Sequence, residues 1–344
     1  MSQSSTHTTP LSSTQSSSHL QMKSVITPRF YASLANFKKK PVLEEVFDAS
    51  YAQWVIDNEK EAFKLLPIDR QHTKRSLDEC PSLYVKGWSE TISDLKELMI
   101  RSKPTSDKRY RVHSVSYKQP GGKGRMIARE KGALATIQRE IRQLIAHPNL
   151  KDYDFKNAHP VIMQWLTLAM GVKCPRLTEY VKHRKIFLKK FRDPKRGKMV
   201  LLSLINSDNP LGTASYRGVD EKTEQLYAAT TDKRKLRKMK AEERQMQKLL
   251  KPFIKEILKI QDAFVAKYPE EFEKHKARRD RRKKTFNYKG SFVNTFLLQW
   301  EGILFETTYE TIGLPRHCAL TYDGLMTEQT VDCPLVMKTR QVWH

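Results

Sequence analysis

Asp152 and Asp154 stand two residues apart in the stretch Asp152-Tyr153-Asp154-Phe155-Lys156-Asn157-Ala158-His159-Pro160. If this stretch is extended as far as Lys156, side chains alternate and both carboxylates leave the strand on one face. Like charges sharing one space are costly unless a cation or a proton lies between them, and paired hard oxygens suit Mg²⁺. Asn157 is a good helix N-cap and Pro160 is tolerated in a first helical turn. The segment therefore reads as strand, tight turn and helix, the helix covering the apolar run Val161 to Met170. Carboxylates at a strand end, held by the helix that follows, are where phosphoryl-transfer enzymes hold metal ions. The same two acids also read as solvated side chains of a surface strand between Lys151 and Lys156.

The chain that must position these acids has 344 residues, enough for one large domain or two ordinary ones, and a hydrophobic content of 39% that supports a buried core. Lys and Arg number 63 against 38 acids, a net charge of +25. Such a balance attracts a polyanion, and nucleic acid is the commonest. No apolar run reaches the length of a membrane span. The four cysteines, Cys80, Cys174, Cys318 and Cys333, are scattered without a C-x-x-C pair, which fits a reducing compartment and no zinc site. His317 beside Cys318 reads as structural.

Residues 1–40 begin with a Ser/Thr/Gln-rich stretch and read as a disordered tail; the lack of any acid before Glu44 also fits an organellar transit peptide. Residues 41–105 read as an N-terminal helical subdomain broken by Pro67, Pro81 and Pro104. Arg109 to Tyr117 alternates as a half-buried strand, and the turn at Gln119 to Lys123 leads to a return strand at Arg125 to Ala128. A helix is expected from Gly132 to Ile145, then the acid strand, then a helix from Leu177 to Phe191.

From Lys182 to Lys198 nine Lys or Arg face a single acid, Asp193. A solvated face normally interleaves both signs, so this row is expected to meet an anion. The apolar run Met199 to Ile205 that follows reads equally as buried strand or core helix. Thr231 to Tyr268 is a long helix, basic at first. Lys274 to Lys289 again carries nine cations and one acid, with Phe286 and Tyr288 interleaved; cations track phosphates while rings stack on bases, so this run reads as a single-strand or duplex contact, or else as a solvated basic loop. Gly290 to Ile312 is a strong helix, and Asp323-Gly324 marks a tight hairpin after the extended Arg316 to Tyr322. A last strand is expected from Leu335 to Val342.

Asp323 needs no function as a turn residue, but with Asp154 it could hold two Mg²⁺ ions against a triphosphate. Taken in order, Gly124-Arg125 with Gln138-Arg139-Glu140-Ile141-Arg142, Asp152-x-Asp154-x-x-Asn157-x-His159-Pro160, Lys198 to Asn206, and Gly290-Ser291 to Gln299-x-Glu301 with Tyr322-Asp323-Gly324 resemble the catalytic module of the transposon-virus polymerase family. That family is a derived relative of family A DNA polymerases and phage-type single-subunit RNA polymerases. The resemblance covers residues 110–330; the Asp-x-Asp stretch is its distinctive part. Two departures stand out: Tyr322 where the family more usually has His, and Ser207-Asp208 in place of a glycine pair.

The resemblance implies an α+β, right-handed polymerase-like fold, with an antiparallel palm sheet (106–175 and 290–344), a largely helical fingers region with a basic insertion (176–289) and the N-terminal helical subdomain. It implies Asp154 and Asp323 as ligands of two Mg²⁺ ions, Mn²⁺ being the alternative, with Asp152 an auxiliary carboxylate and Lys198 a catalytic cation. Arg192, Arg196, Lys198, Asn157, His159 and Asn206 would meet the incoming nucleoside triphosphate, His159 near the sugar 2′ position. Arg125, Arg139, Arg142, Gln299 and Tyr322 would meet the primed template, and Arg281, Arg282, Lys283 and Lys284, from the basic run before Lys289, are read as further nucleic-acid contacts. The implied activity is template-directed nucleotidyl transfer, as in a DNA polymerase of a mobile element or virus, with RNA synthesis, a helicase or primase partner, and a nuclear, viral-factory or mitochondrial site within the cell left open. A decayed copy that binds nucleic acid without catalysis, and a metal-dependent nuclease built on Asp152 and Asp154, are the competing readings.

Overall fold

A computed structural model of the chain describes residues 42–66, 87–119, 125–191, 194–208, 231–313, 315–321, 324–331 and 337–340. The 1–40 tail and the turn at 120–124 lie outside them. The described chain enters on β1 (Val42–Asp48), where Leu43, Glu45 and Phe47 are buried on one alternating face. Helices α1 (Ala49–Asp57), α2 (Glu59–Lys64) and α3 (Trp88–Arg101) follow, then β2 (Lys103–Pro104), β3 (Tyr110–Lys118) and the short return strand β4 (Ile127–Ala128). β1 and β2 both pair antiparallel with β3, with Val46 opposite Val112 and Lys103 opposite Val112, and β4 pairs with the far end of β3.

A helical reading of the 41–105 region is thus wrong at its start. Glu45, fully buried, interrupts the apolar alternation that marks a strand, and pairing with β3 decides the conformation. The helices also do not enclose a core of their own: Val55, Leu95 and Leu98 pack with Ile137, Ile141 and Ile145, and with Ala319 and Met326 from far along the chain.

The expected helix from Gly132 divides into a 3₁₀ turn at Leu134–Thr136 and a short helix, α4 (Arg139–Ile145), with Ile137 and Gln138 extended between them. Leu134 N–H donates to the Glu45 carboxylate at 2.5 Å, and Gly132, at φ 78°, rests so close to α3 that a Cβ there would stand 2.6 Å from Leu98 N.

Next come β5 (Lys151–Phe155), α5 (Ala158–Ala169), α6 (Pro175–Lys182), α7 (Arg184–Lys189), α8 (Pro194–Ile205), α9 (Lys233–Lys267), α10 (Pro269–Arg281) and α11 (Tyr288–Thr311). The expected Leu177–Phe191 helix breaks at His183, and the ambiguous Met199–Ile205 run is helical. The basic run from Lys274 is helix as far as Arg281. β6 (Cys318–Thr321), β7 (Gly324–Thr327) and β8 (Met337–Arg340) then complete a second antiparallel sheet in the order β6-β7-β5-β8.

Helix α11 joins two cores. Phe292, Val293, Phe296 and Leu297 pack with α5, α6, α8 and α9, whereas Phe305 and Tyr309 pack with Tyr153, Phe155 and Leu320 of the second sheet and with Val115 and Tyr117 of β3. At 24 residues it is about 36 Å long, enough to span both. The fold is α+β, and no described helix is long and apolar enough to cross a membrane.

Candidate functional site

β5 lies between β7 and β8, and its alternation splits its side chains between two environments. Tyr153 and Phe155 enter the core shared with α11. Asp152 and Asp154 take the opposite face. Asp152 is 2% exposed and accepts a hydrogen bond from Gln143 Nε2 of α4 at 3.1 Å. Asp154, one pleat further on, is only partly buried. The cover supplied by α4 therefore ends between the two acids.

The register sets Asp154 opposite Gly324 of β7 and opposite Lys338 of β8, and Asp152 opposite Met326 and Arg340. β6 and β7 form a hairpin in which Thr321 pairs with Gly324; Tyr322 and Asp323, which stand between them, lie outside the described residues. Gly324 meets a steric demand. A Cβ built on it would sit 2.1 Å from the Tyr153 carbonyl oxygen and 3.3 Å from the Asp154 Cα. Only glycine lets the two strands come this close.

Beyond β5 the backbone turns at Asn157, which occupies the N-cap of α5 in the left-handed region at φ 61° and makes no side-chain cap bond. Its role is conformational, since asparagine tolerates that region. Two residues on, His159 Nε2 stands 3.6 Å from Glu301 Oε1 of α11. Arg125, just before β4, grips the same carboxylate in a fork, Nε at 2.6 Å from Oε2 and Nη2 at 3.1 Å from Oε1. Burial alone would raise the Glu301 carboxyl, but His159 and Arg125 more than offset it and hold it below its ordinary range. One buried acid thus ties the first sheet, the turn after the acid strand and α11 together.

Glu301 enters the sequence reading only as part of the Gln299-x-Glu301 stretch and is given no role there; the signal for one is an acid inside an otherwise apolar helix stretch.

α8 presents Val200, Leu201, Leu204 and Ile205 to the helical core that also holds Ile162, Met163 and Leu166 of α5. Lys198 is exposed on it. Arg192, and the side chain of Arg196, lie outside the described residues. The C-terminal end of α8 is clamped to the start of α11. Asn287, at φ 55°, donates from Nδ2 to the Asn206 carbonyl at 2.8 Å and accepts from Asp208 N–H at 2.9 Å, and Asp208 in turn accepts from Lys289 N–H. Gln261 Nε2 of α9 donates to the Ser207 carbonyl at 3.0 Å. Asn206 itself donates to the Leu202 carbonyl at 2.9 Å, so its amide NH₂ is engaged within α8.

Two residues expected to reach nucleic acid lie in the interior. Arg142 is 7% exposed on the inward side of α4, with Nη1 3.5 Å from the carbonyls of Leu134 and Ile137 and its charge felt by Glu45. Gln299 is 5% exposed within α11. Arg139, Arg281, Arg282, Lys283 and Lys284 are exposed, and Arg125 is committed to Glu301.

The buried carboxyl that most departs from ordinary behaviour is Glu45. Desolvation pushes it up to about 7, against the lowering pull of the Tyr117 hydroxyl and Leu134 N–H that donate to it. His317, read as structural, hydrogen-bonds through Nε2 with Glu44 at 3.1 Å. Among the described residues, no three His, Cys, Asp or Glu come together as metal ligands.

The fold and this geometry define an α+β chain whose acid strand, β5, pairs with the Gly324 strand β7 on one edge and with β8 on the other. No family model, curated protein or solved structure matches the chain.

Proposed function

We propose that the chain is a template-directed nucleotidyltransferase, a DNA polymerase of a mobile element or virus, with Asp154 and Asp323 as its metal-holding carboxylates. The observation that carries this reading is the β5–β7 register. Asp154 stands opposite Gly324 at a contact only glycine allows, and the peptide bond from Gly324 to Asp323 keeps the two Cα atoms about 3.8 Å apart. The reading takes Asp323, bonded to Gly324 and 169 positions from Asp154 in sequence, to act at the same end of β5 and β7.

The donor set fits the ion. Carboxylate oxygens are hard ligands suited to Mg²⁺ or Mn²⁺, and Asp154 is the less covered of the two β5 acids. The chemistry supplied by such ions is activation of a primer 3′-hydroxyl and neutralisation of the leaving pyrophosphate. Asp152, held by Gln143, is a supporting charge set back from that position. Lys198, exposed on α8, is assigned to the triphosphate, where a cation offsets developing charge. The Arg125–Glu301–His159 contact fixes the turn that follows Asp154, and positioning supplies much of the acceleration in phosphoryl transfer. His159 is assigned to the sugar side of the nucleotide.

A second reading, a nucleic-acid-binding protein without catalysis, is supported by Tyr322 and Ser207-Asp208, where the resembled family differs, together with the net charge of +25.

Primer extension with Mg²⁺ on a primed template separates the readings when the wild type is compared with Asp154→Ala and Asp323→Ala. Incorporation lost in both variants supports the polymerase. Salt-sensitive binding with no incorporation by the wild type supports the binder, and strand cleavage in place of extension marks a nuclease.

A further inference from the structure

Helix α10 begins with Glu270 and Glu271 and ends among cations. Such a gradient complements the helix dipole, but the positive charge continues past the last turn. Arg281, Arg282, Lys283 and Lys284 are all exposed, and among the described residues none of their side chains has a hydrogen-bonding or ion-pairing partner. Asp280, the one acid of the run, is occupied by the Tyr288 hydroxyl.

Phe286 follows, 69% exposed. A single exposed ring is unremarkable by itself. This one is held in place. Arg279 Nη2 donates to the Phe286 carbonyl at 2.7 Å while its guanidinium lies 5.7 Å from the ring centroid. Lys283 and Asn287 both adopt left-handed backbone, at φ 56° and 55°, so the chain bends on either side of the ring. Asn287 is fixed to the end of α8 through Asn206 and Asp208. The ring is thus presented on an ordered loop beside four cations.

We infer that residues 281–286 bind single-stranded nucleic acid, with Phe286 as the platform for an unpaired base and the four cations on the flanking phosphates. Phosphate contacts alone serve a duplex as well as a single strand. An exposed ring adds affinity where base faces are free, which in a duplex they are not. Charge complementarity and the fixed ring together select the single strand. The inference deepens the nucleic-acid side of the proposed function and does not depend on its chemistry.

Fluorescence anisotropy of the full chain with labelled oligo-dT, and with a labelled duplex of equal length, tests it. Phe286→Ala is expected to weaken oligo-dT binding roughly 5- to 150-fold, the range for loss of one stacked base, and to leave duplex binding nearly unchanged. Phe286→Trp is expected to bind oligo-dT at least as well as the wild type. Replacing Arg281, Arg282, Lys283 and Lys284 together by Ala should reduce the slope of log affinity against log salt by about 3. Thermal melting followed by circular dichroism checks that the variants remain folded. Wild-type affinity of Phe286→Ala for oligo-dT, an equal loss on duplex, or binding to anionic vesicles in preference to oligo-dT would overturn the inference. A wild type that binds oligo-dT through Phe286 yet extends no primer removes the polymerase reading and leaves this one standing.

Discussion

Replacing Gly324 by Ala adds one carbon at the tightest approach in the second sheet. That carbon would stand 2.1 Å from the Tyr153 carbonyl oxygen, where ordinary contact begins at 3.4 Å, so ~1.3 Å must be given up by backbone alone. Neither side is the tip of a flexible side chain. β7 has to withdraw from β5 at the pair that carries Asp154. Overpacking of this kind costs about 1–3 kcal/mol, measurable as a lower midpoint in urea with an unchanged slope. On the proposed polymerase reading the effect on primer extension should be larger, because a displacement of about 1 Å in a reacting group costs on the order of 100-fold. Single-turnover primer extension is therefore expected to slow by about two orders of magnitude under conditions where the variant remains folded. A Gly324→Ala protein with wild-type midpoint and wild-type rate would refute both the close approach and the site built on it. A shifted midpoint with an unchanged rate would leave the sheet intact as described and remove Asp154 from the chemistry.

Glu45→Gln tests the buried acid between the sheets. The native carboxyl is raised from 4.5 to about 7, chiefly by desolvation, so its contribution to stability is fully present below pH 4.5 and is lost as pH rises through 7. The stability difference between Glu45→Gln and wild type in urea should move in favour of the variant, by on the order of 3 kcal/mol, between pH 4.5 and pH 8; a difference independent of pH would contradict the assignment. Glu301→Ala leaves Arg125 and His159 facing a space without their carboxylate. Arg125 is one-third exposed, so the loss should fall below the 3–5 kcal/mol of a fully buried pair, at about 2 kcal/mol in urea unfolding, and a variant as stable as wild type would show the contact to be incidental.

Much of this molecule was legible in its local patterns. The acid strand, the helix after it, the long helices from Thr231 onward and a hairpin between Arg316 and Thr327 follow from periodicity and turn chemistry, which act over a few residues. Gly324, expected in the turn, is instead a strand residue paired with Thr321. The failures have a common cause. β1 was hidden because Glu45 occupies an apolar position, and a carboxyl belongs there only when Tyr117 and Leu134, from 72 and 89 residues away, donate to it. The helix from Gly132 is interrupted because Ile137 and Gln138 are extended, with Ile137 packed into the core beside Leu95 and Leu98. Arg142 reads as a nucleic-acid contact because its charge, and not its inward position on α4, is visible in sequence.

The site divides along the same line. That Asp152 and Asp154 share a face is a property of any strand, and the sequence alone determined it. Which of them is covered was decided by α4, through Gln143. That Gly324 must be glycine was decided by β5, whose Tyr153 carbonyl fills the space a side chain would need. That Glu301 is a partner and not a spare acid was decided by Arg125 and His159, which reach it from 176 and 142 positions away. Local pattern sets direction and conformation because those depend on bonded neighbours; neighbours across space depend on how the chain closes, and only the assembled cores specify that.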